Sequence, residues 1–398
     1  MKSFQSILIL CVLAILITGD AAFAFAQKLK DPRVFLLTIK GEDWQKKASD
    51  PAVAKADRDA KKALSIQIAP ITSKSAVAPS GDKHDYMSQA PYFWRDPNKP
   101  NGLPYIRRDG ERNPEIKQYP DHDLLDSMIN AVDRLSLGYF VTGKKEYAAR
   151  AGEILRMWFI EPKTRMNPNL EFAQAIPGLN TGRGIGIIET RGLVRVVDSV
   201  GLLADSPSWT KADQAGVEAW FSKYLEWLTG SKNGRQESAA KNNHGTHYDL
   251  QVASFALFVG DRDLARKTLE EAKKKRIAAQ IETEGKQPLE LERTKSWDYS
   301  VMNLEGMVSL AQLGEKVDVN LWTFHSDNGG SIRKAIEFLE PFSRDIKMWP
   351  YKQITPIQLE RFYSVVRRAA RGYGDAGFQK MLALFPKVAV DDRIMLDR

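Results

Sequence analysis

Between residues 242 and 251 the chain reads NNHGTHYDLQ, and an apolar run follows directly within KNNHGTHYDLQVASFALF at 241–258. Asn242, Asn243, His244, His247, Tyr248, Asp249 and Gln251 crowd into ten residues. At helical spacing Asn243, His244, His247, Tyr248 and Gln251 share one broad face. That is a polar stripe in an otherwise apolar helix, and a buried polar group without a partner costs about 1–3 kcal/mol. The stripe is therefore either a satisfied network or a site. Two of the five histidines (84, 122, 244, 247 and 325) lie in it, and imidazole is the side chain that exchanges protons near neutral pH. A zinc reading uses the same pair, three residues apart, with His84 or His122 as a third ligand. The HExxH spacing is absent and amides are poor zinc ligands, so no metal is expected.

Three other stretches could carry chemistry. In QPLELERTKSWDYSVMNLEGMVSLAQL, 287–313, Ser296 reads as a helix N-cap with Asp298 in the first turn. Arg293 then falls in the preceding loop and Tyr299 in the first turn, so both can face one cleft. In TGRGIGIIETRGLVRVVDSV, 181–200, the glycines do not form GxGxxG and no strand is expected before them. Glu189 and Arg191 there either line a cleft or pair with each other. The stretch 84–115 interleaves Tyr86, Tyr92, Trp94 and Tyr105 with Arg107, Arg108 and Arg112. Aromatic faces stack on sugar rings, and guanidinium forks grip carboxylates.

These segments must be positioned by helices. Residues 66–120 hold too many Pro, Gly and Asp for long helices, while their many aromatics argue against disorder. A short β element there is compatible with the sequence. From Asp121 the pattern turns helical: Leu124, Leu125, Met128, Ile129, Val132 and Leu135 follow 3–4 spacing. The same helix–turn–helix grammar recurs with turns near Gly143, Asp205, Gly260, Gly314 and Gly374, about 57 residues apart. Helical hairpins in series form an open solenoid or close into a ring. The expected fold is all-α, an incomplete α/α toroid behind a long irregular aromatic-rich N-terminal segment.

The full sequence has 398 residues, 43% of them apolar, with 58 Lys+Arg against 50 Asp+Glu and a formal charge of +8. This supports a large core and a polyanionic partner, nucleic acid or acidic polysaccharide. Lys2, the apolar run Ile7–Ile17 and Ala24-Phe25-Ala26 read as a signal peptide over residues 1–26, with one toroid domain over 27–398. The expected location is secreted or periplasmic, without stable membrane insertion. Cys11 is the sole cysteine, so no intrachain disulfide forms.

Taken together, HDYMSQAPYFW at 84–94, GLPYIRRDGERNPE at 102–115, NNHGTHYDLQ at 242–251 and ERTKSWDYSVMNL at 292–304 resemble the alginate-lyase-type polysaccharide lyases. The NNHGTxYD form is closer to the branch acting on glucuronan or mannuronan than to the NNHSYW form. The resemblance implies an α/α toroid, a polyuronate substrate and β-elimination, with no cofactor and no nucleic acid. It assigns Asn243 and His244 to the catalytic pair, Arg293 to the active-site arginine and Tyr299 to the catalytic tyrosine. Asn242, His247, Tyr248, Tyr86, Tyr92, Trp94, Arg107, Glu189 and Arg191 are the expected substrate contacts. In a syn elimination Tyr299 takes the C5 proton and then donates it; in an anti elimination His244 takes it and Tyr299 donates. A glycoside hydrolase on the same ring is the alternative, with two carboxylates drawn from Glu189, Asp249, Glu290 and Glu292. A non-enzymatic polysaccharide-binding protein is the other.

Overall fold

The computed structural model describes residues 34–37, 44–47, 49–386 and 392–396. The expected signal peptide lies outside these residues. Helix α1 (Pro51–Leu64) begins at Asp50, whose side chain accepts the Ala52 N–H, and carries Pro51 in its first turn. The irregular stretch that follows is pinned by charge. Lys74 is fully buried and pairs with Asp121 at 2.5 Å. Asp121 also accepts the Met87 N–H at 2.8 Å, which fixes β1 (Met87–Gln89) to the start of the next helix. Strands β2 (Phe93–Trp94) and β3 (Ile106–Arg107) form an antiparallel pair. β1 pairs in parallel with β4 (Phe172–Ala175). The short β element is thus present, but it recruits a strand beyond residue 120, before the glycine run at 181–186 where no strand was expected.

The helical part repeats one unit, an inner helix followed by an outer one. Helix α2 (Asp121–Thr142) buries Leu125, Met128, Ile129, Val132 and Leu135 completely, the 3–4 stripe read from the sequence. Gly143 ends it at φ 71°, and α3 (Lys145–Leu155) returns along the outside. Next come α4 (Leu193–Leu202), α5 (Lys211–Gly230), α6 (Lys232–Ser238), α7 (Asn243–Val259) and α8 (Arg262–Ala272). α9 (Ser296–Gly314), α10 (Ile332–Arg344), α11 (Leu359–Tyr373) and α12 (Ala376–Ala383) complete the arc. Turns fall where expected: Gly260 and Gly374, both at positive φ, join α7 to α8 and α11 to α12.

Inner helices pack in the order α2–α4–α7–α9–α11, with α1 and α3 on α2, α5 and α8 on α7, and α12 on α11. One apolar cluster runs from Leu36 to Phe378 through all of them. Residues 34–37 brace the ring across its members. Asp198 of α4, fully buried, accepts the N–H groups of Phe35, Leu36 and Leu37, and Gln312 of α9 donates to the Leu36 carbonyl at 3.2 Å. The observed architecture is the expected all-α toroid. One local expectation is corrected: Lys295 occupies the N-cap of α9, and Ser296 is its first residue. The Ser296 hydroxyl instead donates to the Lys352 carbonyl and accepts from Trp349 Nε1, fastening the helix start to residues 349–352.

Candidate active site

A cavity of about 870 Å³ lies where inner helices begin. His122, Asp123 and Asp126 reach it from the first turns of α2, Arg191 from just before α4, Asn242 to His244 from the start of α7, and Arg293 with Tyr299 from the start of α9. Helix N-termini present unpaired N–H groups and partial positive charge, which favours anions. The remaining wall is built by Ser88 and Gln89 of β1, Tyr92 and Phe93, Arg107 of β3, Gln174 of β4 and the 3₁₀ turn Gly184–Thr190. Arg107, Arg112, Lys117, Arg183, Arg191 and Arg293 border the cavity against Asp123, Asp126 and Glu189.

Two buried glutamates hold the amide–imidazole pair. Asn242 caps α7 by accepting the His244 N–H. Glu237 of α6, 1% exposed, lies 2.7 Å from His244 Nδ1 through Oε1. A carboxylate can only accept, so Nδ1 carries a proton, and in the neutral imidazole Nε2 is then the nitrogen with the lone pair. Glu290, on the single turn Pro288–Leu291, accepts the Asn243 N–H at 2.6 Å and its Nδ2 at 2.8 Å.

Arg293 lies over the Tyr299 ring, with the guanidinium carbon 3.8 Å from the phenol ring centroid. Asp109 clamps Arg293, taking Nη2 at 2.8 Å and Nε at 3.2 Å. It also accepts the Thr294 N–H at 3.1 Å and Oγ1 at 2.9 Å, and Arg107 Nη2 at 2.6 Å. Although burial works the other way, the bonds from Arg293 and Thr294 hold the Asp109 carboxyl well below the usual carboxylate range. Gly110 permits this closure: it has φ 78°, and a Cβ there would meet Thr294 Oγ1 at 2.3 Å. The Tyr299 hydroxyl donates to the Tyr92 hydroxyl at 2.9 Å. Burial, and then the neighbouring Tyr92, push the Tyr299 phenol far above its ordinary value despite Arg293. Tyr299 is therefore a protonated donor in this arrangement.

The opposite wall holds a second arginine. Gln174 adopts φ 51°, a left-handed conformation costing a non-glycine residue about 1–3 kcal/mol. Its N–H is taken by Ser88 Oγ at 2.8 Å. Its carbonyl and Oε1 then accept Arg183 Nε and Nη2 at 3.1 and 2.9 Å. Arg183 lies 5.0 Å from the Phe93 ring centroid, and burial lowers its pKa to about 10. Glu189 accepts the Tyr86 hydroxyl at 2.7 Å and Ser88 Oγ at 2.6 Å rather than pairing with Arg191, which donates to the Ile188 carbonyl.

Asn243, His244, Arg293, Tyr299, Asn242, Tyr92, Arg107, Glu189 and Arg191 thus border one cavity. Four expected contacts sit elsewhere. Tyr86 is wholly buried behind Glu189. Trp94 donates to the Glu111 carbonyl and stacks under Arg108. Tyr248 donates to the Leu228 carbonyl toward α5. His247 opens on a second cavity, lies 3.0 Å from the Met302 carbonyl through Nε2, and is kept neutral by burial, which lowers its pKa to about 3. His244 and His247 therefore do not share a ligand set. Sequence reasoning missed Glu237, Asp109, Gln174 and Arg183, and took Glu290 only as a hydrolase carboxylate. The one available signal was the Asp-Gly pair at 109–110 ahead of a glutamate and a second arginine.

The alginate lyase family model matches residues 70–349. A crystal structure of an alginate lyase from Bacteroides ovatus superimposes with a TM-score of 0.86 at 38% identity, covering 92% of this chain and 98% of that one. Alginate lyase A1-III, as a histidine-to-alanine variant complexed with a tetrasaccharide, superimposes with a TM-score of 0.62 at 16% identity over 93% of this chain and 96% of that one, a likeness of fold. No curated protein matches the chain by sequence.

Proposed function

The chain belongs to the alginate lyase family, as a polysaccharide lyase acting on an acidic polymer, and we propose that it cleaves a 1,4-linked polyuronate, alginate or polymannuronate or else glucuronan, by β-elimination. One observation carries this reading: an imidazole with a free Nε2 and a phenol held protonated border the same cation-rich cavity.

The C5–H of a uronate is a feeble acid while the adjacent carboxylate is anionic. Arg293 can lower that charge as it builds up, as can the Asn243 NH₂ group once it leaves Glu290. His244 Nε2 takes the C5 proton, the C4–C5 double bond forms, and the C4–O bond breaks toward Tyr299, whose hydroxyl protonates the leaving oxygen. No water enters, so every cut leaves an unsaturated uronate end. The phenolate regains a proton through the neighbouring Tyr92 hydroxyl and solvent, and His244 gives the C5 proton up to solvent. This route suits a sugar whose C5–H and C4–O lie on opposite faces, as in guluronate; mannuronate and glucuronate carry both on one face, where Tyr299 would act first as base and then as acid, a duty that the raised phenol makes harder. Secretion or periplasmic location belongs with the same proposal. It rests on the polymeric substrate and the leader-like N-terminus, and no described helix is long and apolar enough to cross a membrane.

Purified protein assayed against polymannuronate, polyguluronate and glucuronan tests this. Ultraviolet-absorbing unsaturated ends from at least one polymer, abolished by His244→Ala and by Tyr299→Phe with melting temperatures retained, are the expected outcome. Wild-type turnover in either variant rejects the assignment.

A further inference from the structure

Asn243 is wholly buried, and its amide is only half used. Its N–H and Nδ2 both donate to Glu290, at 2.6 and 2.8 Å, while Oδ1 is buried with no hydrogen-bond partner. An orphaned carbonyl oxygen costs about 1–3 kcal/mol. This one belongs to a residue bordering the cavity that receives an anionic sugar. An amide oxygen and a carboxylate are both acceptors and repel each other. The two ends of the amide are nearly the same shape, so a half-turn of the side chain exchanges them. After that turn Oδ1 meets Glu290 Oε2, which is favourable only if Glu290 carries a proton. Oε1 would still accept the Asn243 N–H, Oε2–H would donate to Oδ1, and Nδ2 would be released as a donor.

We propose that Glu290 takes up one proton when the uronate carboxylate arrives and so turns the Asn243 NH₂ group toward it. This rests on the lyase reading above. Glu290 is absent from the cavity lining, so it acts through Asn243 as a positioning residue.

The surroundings support a neutral Glu290. It is 1% exposed. Burial pushes its carboxyl above the usual range, against the two Asn243 donors, the charge of Arg293 in the following loop and, whenever it is protonated, His244 on α7. From α9, Asn303 donates to Gln287 and Gln280, and the Ser300 carbonyl accepts from Gln287. A substrate carboxylate entering nearby adds like charge and favours the neutral acid further. The proton comes from solvent, no bond to the sugar forms or breaks, and the proton returns when product leaves.

The sign of the pH effect follows. Ionised Glu290 is the form that must be converted, so substrate capture weakens as pH rises through its pKa in the free enzyme, approaching about tenfold per pH unit. Glutamine cannot ionise, and its Nε2 can donate to Oδ1 at every pH.

The test combines kcat/KM–pH profiles of wild type, Glu290→Gln and Glu290→Ala with calorimetry of a uronate tetrasaccharide binding in a Tyr299→Phe background. Buffers of different ionisation enthalpy report the proton count. Wild type should lose kcat/KM on the alkaline side, and the background should take up about one proton on binding. Glu290→Gln should take up none and carry its alkaline limb at least about one pH unit higher. Glu290→Ala should lose about tenfold or more in kcat/KM throughout. An identical alkaline limb in wild type and Glu290→Gln, no proton uptake, or Glu290→Gln as impaired as Glu290→Ala overturns the proposal. If wild type yields no unsaturated ends from any polyuronate, the lyase reading itself fails; unsaturated ends with an unchanged Glu290→Gln profile sink only the role of Glu290.

Discussion

The guanidinium carbon of Arg293 lies over the ring of Tyr299, 3.8 Å from its centroid, although the two are six residues apart and one of them is outside the helix. The contact exists because Asp109, from a loop 184 positions away, holds Arg293 in place. A cation over a phenol ring steadies both groups, and the stack sets the direction in which each can meet substrate.

Asp109→Ala should therefore cost about a hundredfold in kcat/KM, since a small misplacement at a reacting centre has effects of that size. Circular dichroism should show the helices intact. An unchanged kcat/KM would mean that Arg293 finds its position without the clamp.

Arg183 has its Nε and one terminal nitrogen held by Gln174 and borders the cavity. We expect it to meet the carboxylate of a sugar neighbouring the one that reacts. Replacing it with alanine should raise KM about tenfold or more while kcat stays nearly constant, the pattern of lost uniform binding. A fall in kcat at constant KM would place Arg183 at the reacting sugar instead.

His247 links stability to pH. Its ordinary pKa is near 6.5 in an unfolded chain, and burial lowers it to about 3 in the folded protein. Between those values the unfolded state binds the extra proton, so stability rises with pH. The contribution is complete above about pH 6.5 and is lost as pH falls below it, by up to about 1.4 kcal/mol per unit. Urea midpoints of His247→Gln should decline less steeply than wild type between pH 6 and 4. Equal slopes would show that acid opens the site without protonating this ring.

Lys74 and Asp121 form a fully buried pair between the irregular segment and α2. Lys74→Met should destabilise by about 3–5 kcal/mol, because Asp121 would stay behind as an unpaired buried charge. A shift below 1 kcal/mol in chemical denaturation would show that Asp121 simply protonates.

What the sequence disclosed follows physical lines. Leu125, Met128, Ile129, Val132 and Leu135 announced an inner helix because burial on one side leaves a period in the chain. Gly143, Gly260 and Gly374 marked the returns because a helix ending in a left-handed residue favours glycine. The polar cluster at 242–251 was visible, but its division was not. Nearly every residue of α7 is buried, so a face that seems single on a helical wheel is shared among several neighbours: Asn243 and His244 go to the cavity, His247 to α9 and Tyr248 toward α5. Glu237 and Glu290 left no local trace, and Asp109 only its place before Gly110. They are common charged residues in charged stretches, and only tertiary packing buries them beside Asn243, His244 and Arg293.

The most direct test of the chemistry is the mass balance of a single cut. A defined uronate tetrasaccharide, incubated with the protein and analysed by mass spectrometry, should give two products whose masses sum to that of the substrate, one of them absorbing in the ultraviolet. Products that together weigh one water more, with no absorbance, would mean hydrolysis and would contradict elimination by His244 and Tyr299.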